Sequence, residues 1–393
     1  MVRNLNLDNL QFDWNNYRSK LSSYGKEKVM AIMNDYYNSD LTVSDIFEIY
    51  SISSSISSLS REFPRKFVEE KCPYDNHSLE KRMPSRNGYS SLNIAICPIC
   101  GHREGEVCNC NGCKEVKKKI LRKKRETIIS VYSKDIKKIK YETLSATDKV
   151  FLSALLHAGL SDDTSKITGE LVLQNKLSPT TNFDKEILHH LVSRGIISVD
   201  PMSPIDAFLD NEFPSSYYIF EVNYLINIEP NTVSLLEYPD REEIVNQREE
   251  CLGIWKQIAL NESLEYLVEQ MKTAKFDFNP KEKTNLVISH LIEGYSIGQI
   301  RNLIYGSVNN AAAWYQKSNI TKKHAANSVI TILNNRGERA KVEGWNLKNY
   351  HRSFNSVLSQ ISMVFFDSIL KIGNRGYEEV PSIKLIEACT DKD

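Results

Sequence analysis

The stretch CPICGHREGEVCNCNGC, residues 97–113, holds five of the chain's eight cysteines and one histidine. Thiols at this density become either disulfides or metal ligands, and the compartment decides which. No apolar run approaches the roughly 20 residues that span a bilayer, and MVRNLNLDNLQFDWNNYRSK lacks the apolar segment of a secretory signal. The expected location is therefore cytoplasmic, with no membrane partner, and the expected role of the thiols is to hold zinc.

A Cys-x-x-Cys turn points two sulfurs at one ion, and zinc takes four such ligands in a tetrahedron. Cys97-Pro98-Ile99-Cys100-Gly101 has this form, as does Cys110-Asn111-Gly112-Cys113. One set of Cys97, Cys100, Cys110 and Cys113 would satisfy a single ion but leave Cys72 and Cys108 without a role. Upstream, CPYDNH reads as a knuckle whose second cysteine has become Asp75, with His77 as a substitute ligand. Two sets leave no clustered thiol idle: Cys72, Asp75 or His77, Cys97 and Cys100 for one ion, and His102, Cys108, Cys110 and Cys113 for another. We expect one to two zinc ions per chain, with two preferred. Because spacing does not fix connectivity, an interleaved pairing stays open. So does a catalytic ion on Cys72, Cys97 and Cys100 with water in the fourth place, although a closed shell that staples a loop-rich segment is the commoner use. Cys251 and Cys389 stand alone and read as packing residues.

The elements that must position these ligands lie on both sides. In GKEKVMAIMNDYY and LTVSDIFEIYSISSSISSLSREF, apolar residues recur at helical spacing, Thr42 is a capping candidate, and Ile52, Ile56 and Leu59 extend the rhythm through a serine-rich tract. Three helices are expected, the last beginning near Ser53 or Ser54 after a sharp turn. Residues 26–63 resemble the helix-turn-helix of bacterial resolvases and transposases. A zinc ribbon directly after such a unit resembles DNA-binding proteins of bacterial mobile elements, from which Asp75 departs. The resemblance implies that Ser54, Ser55, Ser57, Ser58 and Arg61 face a DNA groove, where short serine side chains discriminate bases poorly. It covers about a tenth of the chain, and nothing catalytic follows from it.

Behind the cysteines runs KEVKKKILRKKRETIISVYSKDIKKIK. Lys117, Lys118, Lys119, Arg122, Lys123, Lys124 and Arg125 would crowd onto three turns of a helix, a density that can engage phosphates and release counterions. The signal is local, because Lys+Arg and Asp+Glu are both 50 in 393 residues and the chain as a whole carries no net charge.

Farther on, TDKVFLSALLHAGL and FDKEILHHLVSRG read as helices, and IISVD and SYYIFEVNYLINI as strands, the order expected of a winged helix or a small α+β unit. Helical periodicity dominates from about residue 240, with SVLSQISMVFFDSILKIG as a buried final helix. The expected fold is thus mainly α and multidomain: a helix-turn-helix domain (1–70), a zinc ribbon (71–114), a basic helix or linker (115–143), a winged-helix-like α+β unit (144–235) and an α-helical C-terminal domain (236–393). Gly294-Tyr295-Ser296-Ile297-Gly298 matches G-x-S-x-G, but a helix rather than a strand precedes it, so Ser296 reads as a helix cap instead of a nucleophile. No phosphate-cradling loop or zinc-protease motif is present.

The function these features point to is zinc-dependent binding of nucleic acid, double-stranded DNA with weak sequence preference, by a regulator or a factor of mobile elements or defence. The C-terminal helices would serve a homo-oligomer or a protein partner. An adaptor using the same modules for protein contacts is the principal alternative, and a nucleic-acid-processing enzyme with an unrecognised metal site the second.

Overall fold

The computed structural model describes residues 5–53, 55–86, 94–105, 108–133, 138–161, 166–229, 233–352 and 357–389. The chain is mainly helical with two small sheets, and it divides into compact units spanning residues 1–124 and 125–393.

In the first unit α1 (Lys26–Asn38) buries Val29, Ile32, Met33, Tyr36 and Tyr37 along one side. Its C-terminal carbonyls are capped from afar. The Arg86 guanidinium donates to Asp35 O at 3.0 Å and to Tyr36 O, and its Nη1 reaches Leu41 O at 2.6 Å while the group lies over the Tyr36 ring. Helix α2 (Val43–Ile49) starts in a capping box between Thr42 and Asp45.

Among the described residues the third helix expected near Ser53 is not formed. Ser51 takes φ 53°, and Ile52 N–H donates to Phe47 O at 2.8 Å, so a left-handed residue ends α2 with the six-to-one hydrogen bond of a Schellman motif. The chain then runs irregularly to a single 3₁₀ turn at Leu59–Arg61. Ile52, Ile56 and Leu59 are buried as expected, but from a loop. Tyr24 donates to Ser51 O at 2.9 Å and Lys20 to Ser55 O at 2.7 Å, which satisfies carbonyls that a helix would have paired.

Strands β1 (Lys66–Lys71) and β2 (Ser78–Lys81) form an antiparallel hairpin with Cys72–His77 at its tip, and single bridges from Glu80 to Ile96 and from Ile96 to Arg103 attach the second knuckle. Beneath the hairpin Asp13 and Glu80 are both buried. Burial pushes the Glu80 carboxyl up to about 8, with the neighbouring Asp13 as the next cause. Helix α3 (Asn111–Tyr132) begins in this unit and ends in the second.

The second unit contains α4 (Ala146–Gly159), β3 (Lys166–Thr168), α5 (Gly169–Gln174), α6 (Thr181–Ser193), β4 (Ile197–Val199) and β5 (Asn223–Ile226), with strand order β3-β5-β4 and both pairings antiparallel. After α7 (Val233–Glu237) and α8 (Arg241–Val245) come four long helices: α9 (Arg248–Thr273), α10 (Glu282–Ile292), α11 (Ile297–Lys317) and α12 (Lys322–Val342). The apolar segment expected as the final helix starts at Gln360 and is π-helical over Met363–Ile369, and short helices follow at Arg375–Glu378 and Ile383–Glu387. Ile361, Phe365, Phe366 and Ile386 pack into the same cluster as Leu152, Leu188 and Tyr224. The division expected near residue 235 therefore runs through one shared core.

Ser296 caps α11 in a box with Gln299 and donates to Asn349 Oδ1 at 2.6 Å, as a cap and not a nucleophile. Cys251 and Cys389 are buried, each with its Sγ on a backbone carbonyl. His157 meets Glu237 O, and His190 and Arg194 meet the fully buried Asp148 at 2.8 and 3.0 Å.

Burial alone would raise Asp148, but the hydrogen bonds from His190 and Arg194 and its place in the Ser145 capping box outweigh it and hold the carboxyl at about 2. A carboxylate depressed in the folded state stabilises above its unfolded value of about 4, and that contribution is lost as pH falls towards the folded one. Asp148→Asn should therefore cost the second unit about 2 kcal/mol at pH 7. In urea titrations the gap between variant and parent should close between about pH 4 and pH 2; a gap independent of pH would refute this account.

Candidate metal centre

The two knuckles share one backbone design. In Cys72–His77, Cys72 N–H donates to His77 O at 2.7 Å, Asn76 N–H to Cys72 O at 3.0 Å, and Asn76 takes φ 59°. In Cys97–His102, Cys97 N–H donates to His102 O at 2.8 Å, Gly101 N–H to Cys97 O at 3.0 Å, and Gly101 takes φ 70°. Asn and Gly are the residues that tolerate this left-handed position. CPYDNH and CPICGH are thus the same turn written twice, and Asp75 occupies the place of Cys100.

Folded against each other, the knuckles bring Cys72, Asp75, Cys97 and Cys100 together, with all four ligand atoms within 4.8 Å of one another. Cys72 Sγ lies 3.5 Å from Cys100 Sγ, and Cys97 Sγ lies 3.1 Å from Asp75 Oδ2. A tetrahedral ion with Zn–S bonds of about 2.3 Å sets its ligand atoms about 3.7 Å apart, so these are plausible edges of one coordination shell. Asp75 fills the fourth place, where water would sit at a catalytic ion. His77 is exposed and outside the set; it contributes backbone only, its N–H donating to Asp75 Oδ1 at 3.1 Å.

The second set is His102, Cys108, Cys110 and Cys113. Cys113 Sγ is 3.4 Å and Cys110 Sγ 4.0 Å from His102 Nδ1. Backbone N–H groups from Arg103 and Cys110 point at Cys108 Sγ, and that of Cys113 points at Cys110 Sγ. Each of the two groups could hold a metal ion such as zinc. The single set of Cys97, Cys100, Cys110 and Cys113 is not assembled, since its halves belong to different groups.

The electrostatics of the two groups differ. Burial pushes the Cys97 and Cys100 thiols up, because thiolate is costly in an apolar pocket unless a cation sits among the sulfurs. Asp75 is held at about 2, first by the hydrogen bond from Cys97. In the half-buried second group the N–H of Cys110 brings Cys108 down to about 6, which favours the thiolate that a metal ion needs.

Tyr74 was not among the residues singled out by spacing. From the first knuckle it reaches the second group: its hydroxyl is 3.1 Å from Cys113 Sγ, and its ring meets the His102 ring edge-on at 5.2 Å. A Cβ on Gly112 would lie 2.5 Å from that ring, so the glycine between Cys110 and Cys113 is what admits it. The identical opening Cys-Pro-aromatic/aliphatic of the two knuckles is the signal that marks position 74.

The structure separates the other expected site residues. Ser54 lies outside the described residues. Ser55 and Ser57 are exposed and Ser58 is half-buried, all in irregular chain, so no helix presents them to a groove. Arg61 closes the 3₁₀ turn and is exposed. Lys117, Lys118, Lys119, Arg122 and Lys123 are exposed on α3 and Lys124 is half-buried there; Lys118 pairs with Glu115 at 3.0 Å. Arg125 is removed from the phosphate-contact set, because its guanidinium donates to Pro201 O and Ser203 O at 2.5 and 2.8 Å.

Metal analysis of the purified chain should give two equivalents, and Cys97→Ser with Cys100→Ser should leave one, retained by the second group. Loss of both, or none to begin with, would contradict two separate shells. Gly112→Ala should displace the Tyr74 ring and weaken the second group about tenfold in competition with a chelating dye, the scale of a lost outer contact, while the first group is unchanged.

Compared with protein-family models, with curated proteins and with solved structures, the chain matches none.

Proposed function

We propose that the chain is a zinc-dependent nucleic-acid-binding protein whose contact surface is α3. The observation that supports this reading is the way the helix leaves the metal group. Cys110 and Cys113 stand at its first turn, with Lys114 N–H donating to Cys110 O, and every residue from Lys114 to Lys123 is exposed. A metal-bound first turn would hold a lysine-rich helix clear in solvent, where its cations can replace the counterions of a phosphate backbone. Double-stranded DNA is the proposed target, read through its backbone, which accords with weak sequence preference. Without a helix at residues 53–61, the likeness to DNA-binding proteins of mobile elements rests on the knuckles alone.

The second unit favours a different use. Its order α4-β3-α5-α6-β4-β5, with β5 between β3 and β4, is the layout of a winged helix, with α6 in the place of the groove helix. Yet the segment between β4 and β5, the wing, carries Asp200, Asp206, Asp210, Glu212 and Glu221 and no lysine or arginine. Such a wing repels phosphate. A protein-contact role for this unit follows, in line with the adaptor reading, and the exposed Val116, Ile120 and Leu121 on α3 would serve that reading as well.

The two readings separate on salt and charge reversal. With Lys117, Lys118, Lys119 and Lys123 replaced by glutamate, fluorescence anisotropy on a labelled duplex should show at least tenfold weaker binding and a slope against log salt that is shallower by about 0.9 per phosphate contact removed. Unchanged retention would leave the adaptor reading in possession.

A further inference from the structure

A cavity of about 460 Å³ in the first unit is lined by four arginines, Arg18, Arg61, Arg65 and Arg82, with the carboxyl groups of Asp13 and Glu80 among its walls. Four guanidinium groups against two carboxyl groups leave an excess of positive charge. Among the described residues none of the four arginine side chains makes an ion pair or a hydrogen bond. Arg65 faces Glu80 electrostatically, while Arg18, Arg61 and Arg82 are exposed at the cavity with their donors free to take an anion. On the other wall Asp13 accepts from Asn15 and Asn16, and the unmet group is Glu80. Glu80 is 4 % exposed, and its buried Oε1 meets no hydrogen-bond partner among the described residues. A buried carboxyl oxygen without a donor is a position that a ligand N–H would satisfy.

We propose that this cavity binds a nucleotide, its phosphate held by the arginines and the N–H edge of its base set against Glu80. A bare oxyanion would use only the arginines. A ligand with a phosphate at one end and a donor edge at the other answers both deficits, and a cavity of this size accommodates one such unit. Arg-phosphate pairs are bidentate, and the free oxygen of a carboxyl group accepts from a base N–H whether or not the group is ionised, so each half of the contact has ordinary chemistry. The site is separate from α3 and does not depend on nucleic-acid binding by that helix. The nucleotide could be free or part of a strand.

The test uses the metal-loaded full chain and isothermal titration with guanosine monophosphate, whose base offers two adjacent donors, and with inorganic phosphate. Anisotropy on a labelled single-stranded oligonucleotide is run in parallel. The expected result is tighter binding of the nucleotide than of phosphate. Arg18→Gln with Arg61→Gln and Arg82→Gln, all exposed positions, should lose at least tenfold for both ligands, while Glu80→Leu, which removes the acceptor oxygen, should bring the nucleotide down to the level of phosphate. Should Glu80→Leu fail to fold, the arginine variant and the comparison of the two ligands in the parent chain still decide. Competition between nucleotide and oligonucleotide would place the ligand on a strand, and nucleotide binding without competition would make it free; both support the site. No nucleotide binding, equal affinity for phosphate, or undiminished binding by the arginine variant would overturn it. The glutamate-for-lysine variant of α3 keeps the two proposals apart, because it should retain nucleotide binding even if it loses the duplex.

Discussion

Buried sulfur is the constraint on which the knuckles of the first unit depend, since the larger core built on α1 contains no cysteine. Around the knuckles the apolar cluster consists of Cys72, Leu79, Ala95 and Cys97, with Val68 and Cys100 packed against it. Two of its four fully buried members are thiols. A core this small cannot by itself offset the entropy of ordering a hairpin and two turns. A cation bound by four ligands would supply the missing free energy, because in small metal-dependent modules binding energy is folding energy. It would also make thiolate tolerable where burial otherwise disfavours it.

Much of this was legible from residue spacing, and the failures have physical causes. Cys-x-x-Cys constrains the local turn so strongly that the membership of both groups could be narrowed to the right residues, with Asp75 or His77 left open. The structure takes Asp75 because it stands where the second knuckle has Cys100, whereas His77, two positions later, stands where the second knuckle has His102, which belongs to the other group. The helix expected at Ser53 failed for a different reason. Ile52, Ile56 and Leu59 do recur at helical spacing and are buried, but burial can be reached from irregular chain when side chains such as Tyr24 and Lys20 satisfy the freed carbonyls. Serines compete with the helical backbone for hydrogen bonds, as the Ser55 N–H donating to Ser53 Oγ at 3.3 Å shows. Periodicity identified what is inside and misjudged the backbone that puts it there. The cavity arginines were illegible because positions 18, 61, 65 and 82 meet only after the hairpin folds; Arg61 was singled out, and for another surface.

A net charge of zero conceals a division of labour. Cations gather on α3 and around the cavity of the first unit, while the β4–β5 segment holds carboxylates alone. Like charges so grouped repel, and they are retained where a partner of opposite sign compensates. Within the second unit the same logic appears in buried form: Glu262 and Arg352 pair at 2.6 Å, and Ser362 adds a hydrogen bond at the start of the π-helical turn. That pair is internally satisfied and needs nothing from outside. The exposed cations on α3 stand in solvent instead, with Lys118 paired to Glu115 within the helix.

The two metal groups are also not independent. One hexapeptide, Cys72–His77, contributes Cys72 and Asp75 to the first group and the Tyr74 ring and hydroxyl to the second. Its partner knuckle does the same, with Cys97 and Cys100 in the first group and His102 in the second. Filling the first group would stiffen both turns, and with them Tyr74 and His102, but each turn is also closed by its own backbone hydrogen bonds, so the second group keeps its ligand positions when the first is empty. The loop that closes the second group is short, and the entropy of closing it falls with its length. The sharing is asymmetric: the second group takes its histidine from a knuckle of the first, whereas the first takes no ligand from the segment beyond Cys100. Helix α3, whose first turn contains Cys113, inherits its starting direction from the second group.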